Sequence, residues 1–127
     1  MLPVITSPGH AGSYAALLGS SSAFNGDSTL TQTVTMPSGT TTLSFWYSPY
    51  CPDTVDADQI QMQIRKTSGQ RLATVLNVCS NTGAWTQQIY NIPRKIAGRT
   101  VVLWFNVHDD GNASNPTYAL FDDVAVN

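Results

Sequence analysis

The sequence contains no glutamate and few charged residues of either sign. Among its 127 residues, eight are Asp and six are Lys or Arg, so the formal net charge is -2. Nucleic-acid binding needs a basic stripe, usually with interleaved aromatic residues, which this composition does not supply. No apolar run approaches the length of a membrane span, and the first residues lack the charged flank of a signal peptide. We therefore expect neither a nucleic acid nor a membrane as partner, and we interpret residues 1–127 as one module cut from a larger secreted protein.

The sequence also lacks any apolar stripe with the 3.6-residue period of a helix. Apolar and polar residues alternate instead, in short runs bounded by Gly, Pro, Asn and Ser. The predicted strands are 12–18, 29–36, 41–48, 58–66, 71–79, 84–91, 100–108 and 117–126. Short turns at 37–39 and 68–69 predict two hairpins, between the second and third and between the fourth and fifth of these strands. This pattern predicts an all-β antiparallel β-sandwich, a jelly roll of about eight strands.

Alternation assigns the side chains of each predicted strand to an inner or an outer face. The predicted core consists of Leu43, Phe45, Tyr47, Ile60, Met62, Ile64, Val101, Leu103, Phe105 and Val107. Trp46 and Trp104 then face outward, as do Gln59, Gln61 and Gln63. An outward Trp can stack on a sugar ring, but large aromatic side chains bury well, so we favour the interpretation that neighbouring groups cover them.

Charged residues are segregated along the chain. Most of the acidic residues fall in three polar segments between strands: Asp27, Asp53, Asp56, Asp58, Asp109 and Asp110. The basic residues fall in two other segments: Arg65, Lys66, Arg71, Arg94, Lys95 and Arg99. If the strands run alternately up and down, the acidic segments share one end of the molecule. Long loops on a rigid sandwich often carry binding sites, so we expect recognition at this acidic rim.

Of the two cysteines, Cys51 lies just after the third predicted strand and Cys79 lies at the end of the fifth. Both then lie at the acidic end, where they could form a disulfide or remain as two unpaired thiols. A bridge closing about 29 residues would stabilise the fold by roughly 3.6 kcal/mol.

Asp122 is predicted to place a carboxylate inside the sandwich. In the last predicted strand it shares a face with Leu120, Val124 and Val126, so alternation predicts that it points inward. A buried carboxylate needs either hydrogen bonds or a hard cation, for which Ca²⁺ is the usual choice. Asp27, beside a Gly turn, is the predicted companion ligand. For the acidic segments 53–58 and 108–112 we favour ordinary turn chemistry over a second metal site.

Groups suited to catalysis are scarce. The chain has two histidines and no nucleophile-elbow motif, and no glutamate can serve as the usual acid of glycoside hydrolysis. We therefore expect a protein that is not an enzyme.

The order of short motifs along the chain resembles that of jelly-roll accessory domains of secreted bacterial enzymes, both MAM-like domains and carbohydrate-binding modules. The matching segments are Gly12–Tyr14, Leu30–Val34, Leu43–Tyr47, Trp85, Ala97–Val101, Leu103–Phe105 and Phe121–Val124. The resemblance covers nearly the whole chain and concerns mainly structural residues. It implies a secreted domain and a structural Ca²⁺ held by the first Asp of the closing Asp-Asp-Val, which is Asp122.

These observations predict a non-catalytic carbohydrate-binding module that targets a secreted enzyme to polysaccharide. Acidic side chains disfavour anionic glycans, so we expect a neutral polysaccharide or oligosaccharide. We also expect a monomer within a multidomain chain. The predicted ligand-binding residues are Tyr50, Asp53, Asp56, Asp109, Asn112 and Trp85. The alternative is a MAM-like protein-interaction or stabilising domain of a secreted peptidase, because both functions use the same scaffold.

Overall fold

A computed structural model describes residues 3–7, 9–10, 12, 15–22, 24–39, 42–112 and 114–127. Its strands are β1 (Val4–Thr6), β2 (Ala15–Gly19), β3 (Asn25–Thr35), β4 (Thr42–Tyr50), β5 (Gln59–Arg65), β6 (Arg71–Val78), β7 (Thr86–Asn91), β8 (Thr100–Asp110) and β9 (Tyr118–Val126). Within the described ranges there is no helix that could span a membrane.

The strands form two antiparallel sheets. The five-stranded sheet has the order β1-β2-β9-β4-β7, and the four-stranded sheet has the order β3-β8-β5-β6. This confirms the predicted antiparallel β-sandwich, with the eight predicted strands corresponding to β2–β9. Sequence reasoning missed β1, which has only three residues and is therefore too short to show alternation.

One of the two predicted hairpins is confirmed and the other is wrong. β5 and β6 pair directly, and Gly69 adopts a positive φ of 99° in the turn between them. β3 and β4 lie in different sheets, because β3 pairs with β8 along its whole length while β4 lies between β9 and β7. The backbone N–H of Met36 donates to the Arg99 carbonyl, and the Met36 side chain is buried. The short turn at 37–39 therefore crosses from one sheet to the other.

The space between the sheets holds the predicted core. All ten predicted core residues are buried. Phe45 lies at the centre, with ring centroids 5.6 Å from Phe105 and 6.0 Å from Phe121. Burying a side chain of this size contributes about 1.5–3 kcal/mol relative to leaving it exposed. The prediction of the inner faces is thus correct for β4, β5 and β8.

The last strand departs from regular alternation. Phe121 and Ala119 are in the core, so Asp122 faces outward, opposite Trp46 on β4. The register shifts between Ser44 and Trp46, and Asp123 has a positive φ of 53°. This bulge changes the phase of β9, so that Val126 again packs against the core. The prediction that Asp122 points inward is therefore wrong. It assumed that side chains alternate regularly from Val126 back to Asp122, whereas the bulge between them reverses the alternation.

Strand register confirms that the acidic segments share one end. Gly19 pairs with Tyr118, Tyr50 also pairs with Tyr118, and Gln59 pairs with His108. Asn25, which opens β3, pairs with Asp110, which closes β8. We call this end the rim; it consists of residues 20–22, 24, 51–58, 79–84, 111–112 and 114–117, with the strand ends beside them.

Candidate functional site

A disulfide between Cys51 and Cys79 joins the two sheets at the rim. Cys51 follows β4 of the five-stranded sheet and Cys79 follows β6 of the four-stranded sheet. The backbone N–H of Cys51 also donates to the Ser80 carbonyl at 3.0 Å. Of the two alternatives that the sequence allowed, a disulfide or two unpaired thiols, the structure contains the disulfide. This bridge fixes two rim loops to each other.

Three carboxylates meet at the rim. Oxygen atoms of Asp53, Asp58 and Asp110 lie within 4.8 Å of one another, so this cluster could hold a metal ion. Asp58 is buried, and its carboxylate accepts bonds from the Asp110 N–H at 2.9 Å and from the Thr117 hydroxyl. Burial raises the pKa of the Asp58 carboxyl; those two bonds lower it, and the charges of Asp109 and Asp110 raise it. Sequence reasoning treated Asp58 and Asp110 as turn residues and missed their convergence.

Asp109 is bonded to the backbone of the rim loops. Its side chain is fully buried. One oxygen accepts the N–H of Gly111 at 2.9 Å, and the other accepts those of Thr117 at 3.2 Å and Phe24 at 3.5 Å. A sugar hydroxyl could reach this carboxylate only by displacing these bonds, so its evident role is to fasten the loops.

The other predicted rim residues lie at this end but are partly engaged. Tyr50 stacks on Tyr118 with ring centroids 4.3 Å apart, and its hydroxyl donates to the Gly83 carbonyl at 3.3 Å. Burial, and to a lesser extent Tyr50, raises the pKa of the Tyr118 hydroxyl. The three other polar residues predicted to bind ligand differ in their contacts. Asp53 accepts a bond from Asn115 at 3.4 Å, Asn112 accepts the Ser114 N–H at 3.0 Å, and Asp56 is exposed.

Trp85 lies on the outer face of the five-stranded sheet rather than among the rim loops. The ring of His10 stacks on Trp46 at 4.0 Å and contacts the edge of Trp85 at 5.3 Å. Trp46 thus faces outward and is covered, as the sequence interpretation favoured.

The two predicted metal ligands are on outer faces of different sheets. Asp27, on β3, accepts a bond from the Asn106 amide at 2.8 Å and contacts the His108 ring nitrogen at 3.2 Å. Asp122, on β9, accepts the backbone N–H of His10 at 2.9 Å. The structure therefore does not bring Asp27 and Asp122 together.

The outer face of the four-stranded sheet carries rows of polar side chains. One row crosses all four strands, from β3 to β6: Thr29, Asn106, Gln61 and Asn77. The next row consists of Thr31, Trp104, Gln63 and Thr74. We call these two rows the amide floor.

Its members are connected to one another. Asn106 is only 2% exposed although it faces outward; it donates to Gln61 at 3.2 Å and accepts the Thr29 hydroxyl at 2.6 Å. The Arg65 guanidinium lies 3.7 Å above the centre of the Trp104 ring and donates to Gln63 at 2.9 Å. Sequence reasoning placed Gln61, Gln63 and Trp104 on this face but could not identify their cross-strand neighbours, because these depend on strand register.

Comparison with known structures identifies the architecture. The carbohydrate-binding module TmCBM61, solved with β-1,4-galactotriose, superimposes with a TM-score of 0.67 at 15% identity, covering 98% of this chain and 81% of that one. The chain has the fold of a carbohydrate-binding module. Caldicellulosiruptor saccharolyticus CBM27-1, solved with mannohexaose, is similar to this chain with a TM-score of 0.52 at 15% identity, covering 94% and 79% of the two chains.

The same fold occurs in an adhesin domain. The K3 cleaved adhesin domain of Lys-gingipain from Porphyromonas gingivalis W83 matches with a TM-score of 0.59 at 17% identity, covering 96% and 78% of the two chains. No protein-family model matches this chain, and the search of curated proteins found no match. The likeness therefore concerns the fold. Such a fold with a disulfide is typical of extracellular proteins.

Proposed function

We propose that this protein is a non-catalytic carbohydrate-binding module that binds a neutral glycan and targets a secreted enzyme to polysaccharide. The observation that carries this proposal is the amide floor, whose row Thr29, Asn106, Gln61 and Asn77 spans the four-stranded sheet. Hydroxyl and amide groups both donate and accept hydrogen bonds, as sugar hydroxyls do. The neighbouring folds, mostly of carbohydrate-binding modules and adhesin domains, support a role without catalysis.

Hydrogen bonding rather than stacking dominates at this face. Arg65 covers Trp104, so that ring has one face already occupied. Asn106 is held by three neighbours and orients the polar groups around it, while Asn77 is exposed and Gln61 is half-buried. A glycan lying across the strands would therefore meet an ordered set of amides. The face carries both Arg65 and Asp27, so it favours a neutral chain over a polyanion.

The rim is the alternative location for the same function. There Tyr50 would supply the aromatic surface, and Asp53, Asp56 and Asn112 would contact sugar hydroxyls. Asp109 would act indirectly, by holding the loops that carry them.

Two matched glutamines separate these locations. Gln61 belongs to the amide floor, whereas Gln87 lies on the outer face of the five-stranded sheet and is exposed. We expect Gln61→Ala to weaken binding of a β-1,4-linked oligosaccharide about three- to tenfold, as loss of one hydrogen bond implies. Gln87→Ala should bind like the wild type. Titration calorimetry against a panel of neutral oligosaccharides, with melting curves as the folding control, gives the comparison.

Each outcome has a definite meaning. If Tyr50→Ala abolishes binding and Gln61→Ala does not, the site is at the rim. If the wild type binds no glycan in the panel, including galactotriose and mannohexaose, the alternative function gains weight. That alternative is a protein-interaction or stabilising domain of a secreted peptidase, and the fold shared with an adhesin domain of Lys-gingipain favours it.

We further propose that the cation suited to the rim cluster is Ca²⁺. Asp53, Asp58 and Asp110 offer only carboxylate oxygens, which hard cations prefer. An ion that binds only the folded state stabilises it by about 2.7 kcal/mol at 100 times its dissociation constant. We expect calcium to raise the melting temperature relative to chelator, and Asp110→Asn to reduce that rise. If Asp122→Asn abolishes the rise in melting temperature instead, the ion binds at Asp122, as the family resemblance implies. A melting temperature that calcium leaves unchanged would contradict the proposal.

A further inference from the structure

Strand β3 lies at one edge of the four-stranded sheet. This strand has eleven residues and pairs with β8 without a register shift, and no other strand among the described residues pairs with it. The consecutive side chains from Thr29 to Thr33 are all exposed, although they alternate between the two faces of the sheet. The middle of β3 is therefore exposed on both faces, as is typical of an edge strand whose outward backbone N–H and C=O groups face solvent.

The opposite edge of the same sheet is protected. β6 contains register shifts against β5, and the Gln88 side chain of β7 donates to the Val75 carbonyl at 3.1 Å. Bulges and covering groups of this kind prevent edge-to-edge pairing. β3 has no such device between Ser28 and Met36, a stretch without charge, proline or glycine and rich in threonine. Its composition is that of a strand able to accept another.

A pocket of about 300 Å³ lies between Leu30 of β3 and the opposite sheet; most of its lining is apolar, and Asp122 and Asp123 also line it. Three of its lining residues are large apolar side chains that remain exposed: Ile5 at 73%, Val124 at 43% and Leu30 at 38%. The open edge is therefore accompanied by apolar surface that a second molecule would cover.

We propose that β3 pairs antiparallel with β3 of a second copy of this chain, joining the two four-stranded sheets into one. Antiparallel pairing about a two-fold axis at Gln32 sets each Gln32 opposite its symmetry mate. In this register Leu30 lies beside Val34 of the other copy, and Thr31 lies beside Thr33. Asp27 lies beside Pro37, so no like charges are opposed. The self-complementarity of this neutral strand is what favours a second copy over another partner.

The association should be weak and reversible. Pairing of one strand, together with the small apolar surface beside it, buries less than the roughly 1,000 Å² expected of a stable interface. The expectation of a monomer took no account of this edge. The proposal is independent of glycan binding, since it concerns the edge of the sheet rather than the amide floor.

Introducing a charge at Gln32, on the proposed two-fold axis, tests the register. We expect sedimentation velocity across the micromolar to millimolar range to show a monomer–dimer equilibrium for the wild type. Gln32→Lys and Gln32→Asp should each weaken the dimer about fivefold, because like charges then lie opposite each other. An equimolar mixture of the two variants should associate again. Gln87→Lys, on an edge strand of the other sheet, is the matched control and should dimerise like the wild type.

A monomeric wild type at every concentration would overturn the proposal. So would a dimer that survives both Gln32 variants, since it would use another surface. As a second measurement, Gln32→Cys should form an intermolecular disulfide under mild oxidation, whereas Gln87→Cys should not. Circular dichroism melting identifies any variant that has failed to fold.

Discussion

One buried carboxylate, that of Asp58, connects two segments of the rim. It accepts the N–H of Asp110 at the end of β8 and the hydroxyl of Thr117 just before β9. Both bonds favour the charged form, yet burial has the larger effect and raises the pKa of the carboxyl above its usual 3.8. The folded protein therefore binds a proton at Asp58 more tightly than the unfolded chain does.

This gives a pH dependence with a definite sign. As the pH rises from 3.8 through the raised pKa of folded Asp58, the unfolded chain releases this proton first, so the contribution of Asp58 to stability falls. We expect the free energy of unfolding of the wild type to decrease relative to that of Asp58→Asn over this window. Urea titrations at a series of pH values, with chelator present, measure the difference. A difference that increases with pH would mean that the hydrogen bonds outweigh burial.

At the scale of elements, predictions that depend on neighbours in sequence succeeded and those that depend on distant pairing did not. The inner faces of β4, β5 and β8 follow from alternation, and the β5–β6 hairpin follows from its Gly turn. The partner of β3 could not be predicted, because β8 lies far along the chain and its pairing is decided by the whole sheet. The bulge at Asp123 has no sequence signal comparable to a glycine, so the orientation of Asp122 was missed.

The candidate sites show the same division. That Cys51 and Cys79 share one end could be predicted, because strand parity places the two loops together. The acidic end could be predicted in the same way, but the convergence of Asp53, Asp58 and Asp110 could not, since it depends on loop conformation. The amide floor depends on register across four strands, which only the three-dimensional structure supplies.

At the scale of the whole molecule, the disulfide is a covalent cross-link between the two sheets. It encloses the β5–β6 hairpin in a loop with a sequence separation of 28 residues. We expect the Cys51→Ala/Cys79→Ala variant to lose about 3–4 kcal/mol of stability, as the chain-entropy estimate gives. Denaturant unfolding measures this loss. Reductant should destabilise the wild type by a similar amount and leave the variant unchanged; an equal effect on both proteins would point to a cause other than the bridge.

The stacking of His10 on Trp46 gives the protein an internal fluorescence reporter. The chain has three Trp residues: Trp46 lies beneath the His10 ring, which also contacts the edge of Trp85, whereas Trp104 lies beneath the Arg65 guanidinium on the other sheet. Loss of the His10 ring, as in His10→Ala, therefore changes the surroundings of Trp46 and Trp85 and leaves those of Trp104 unchanged. Detachment of the His10 segment would likewise be visible as unquenched emission from Trp46, without any added label.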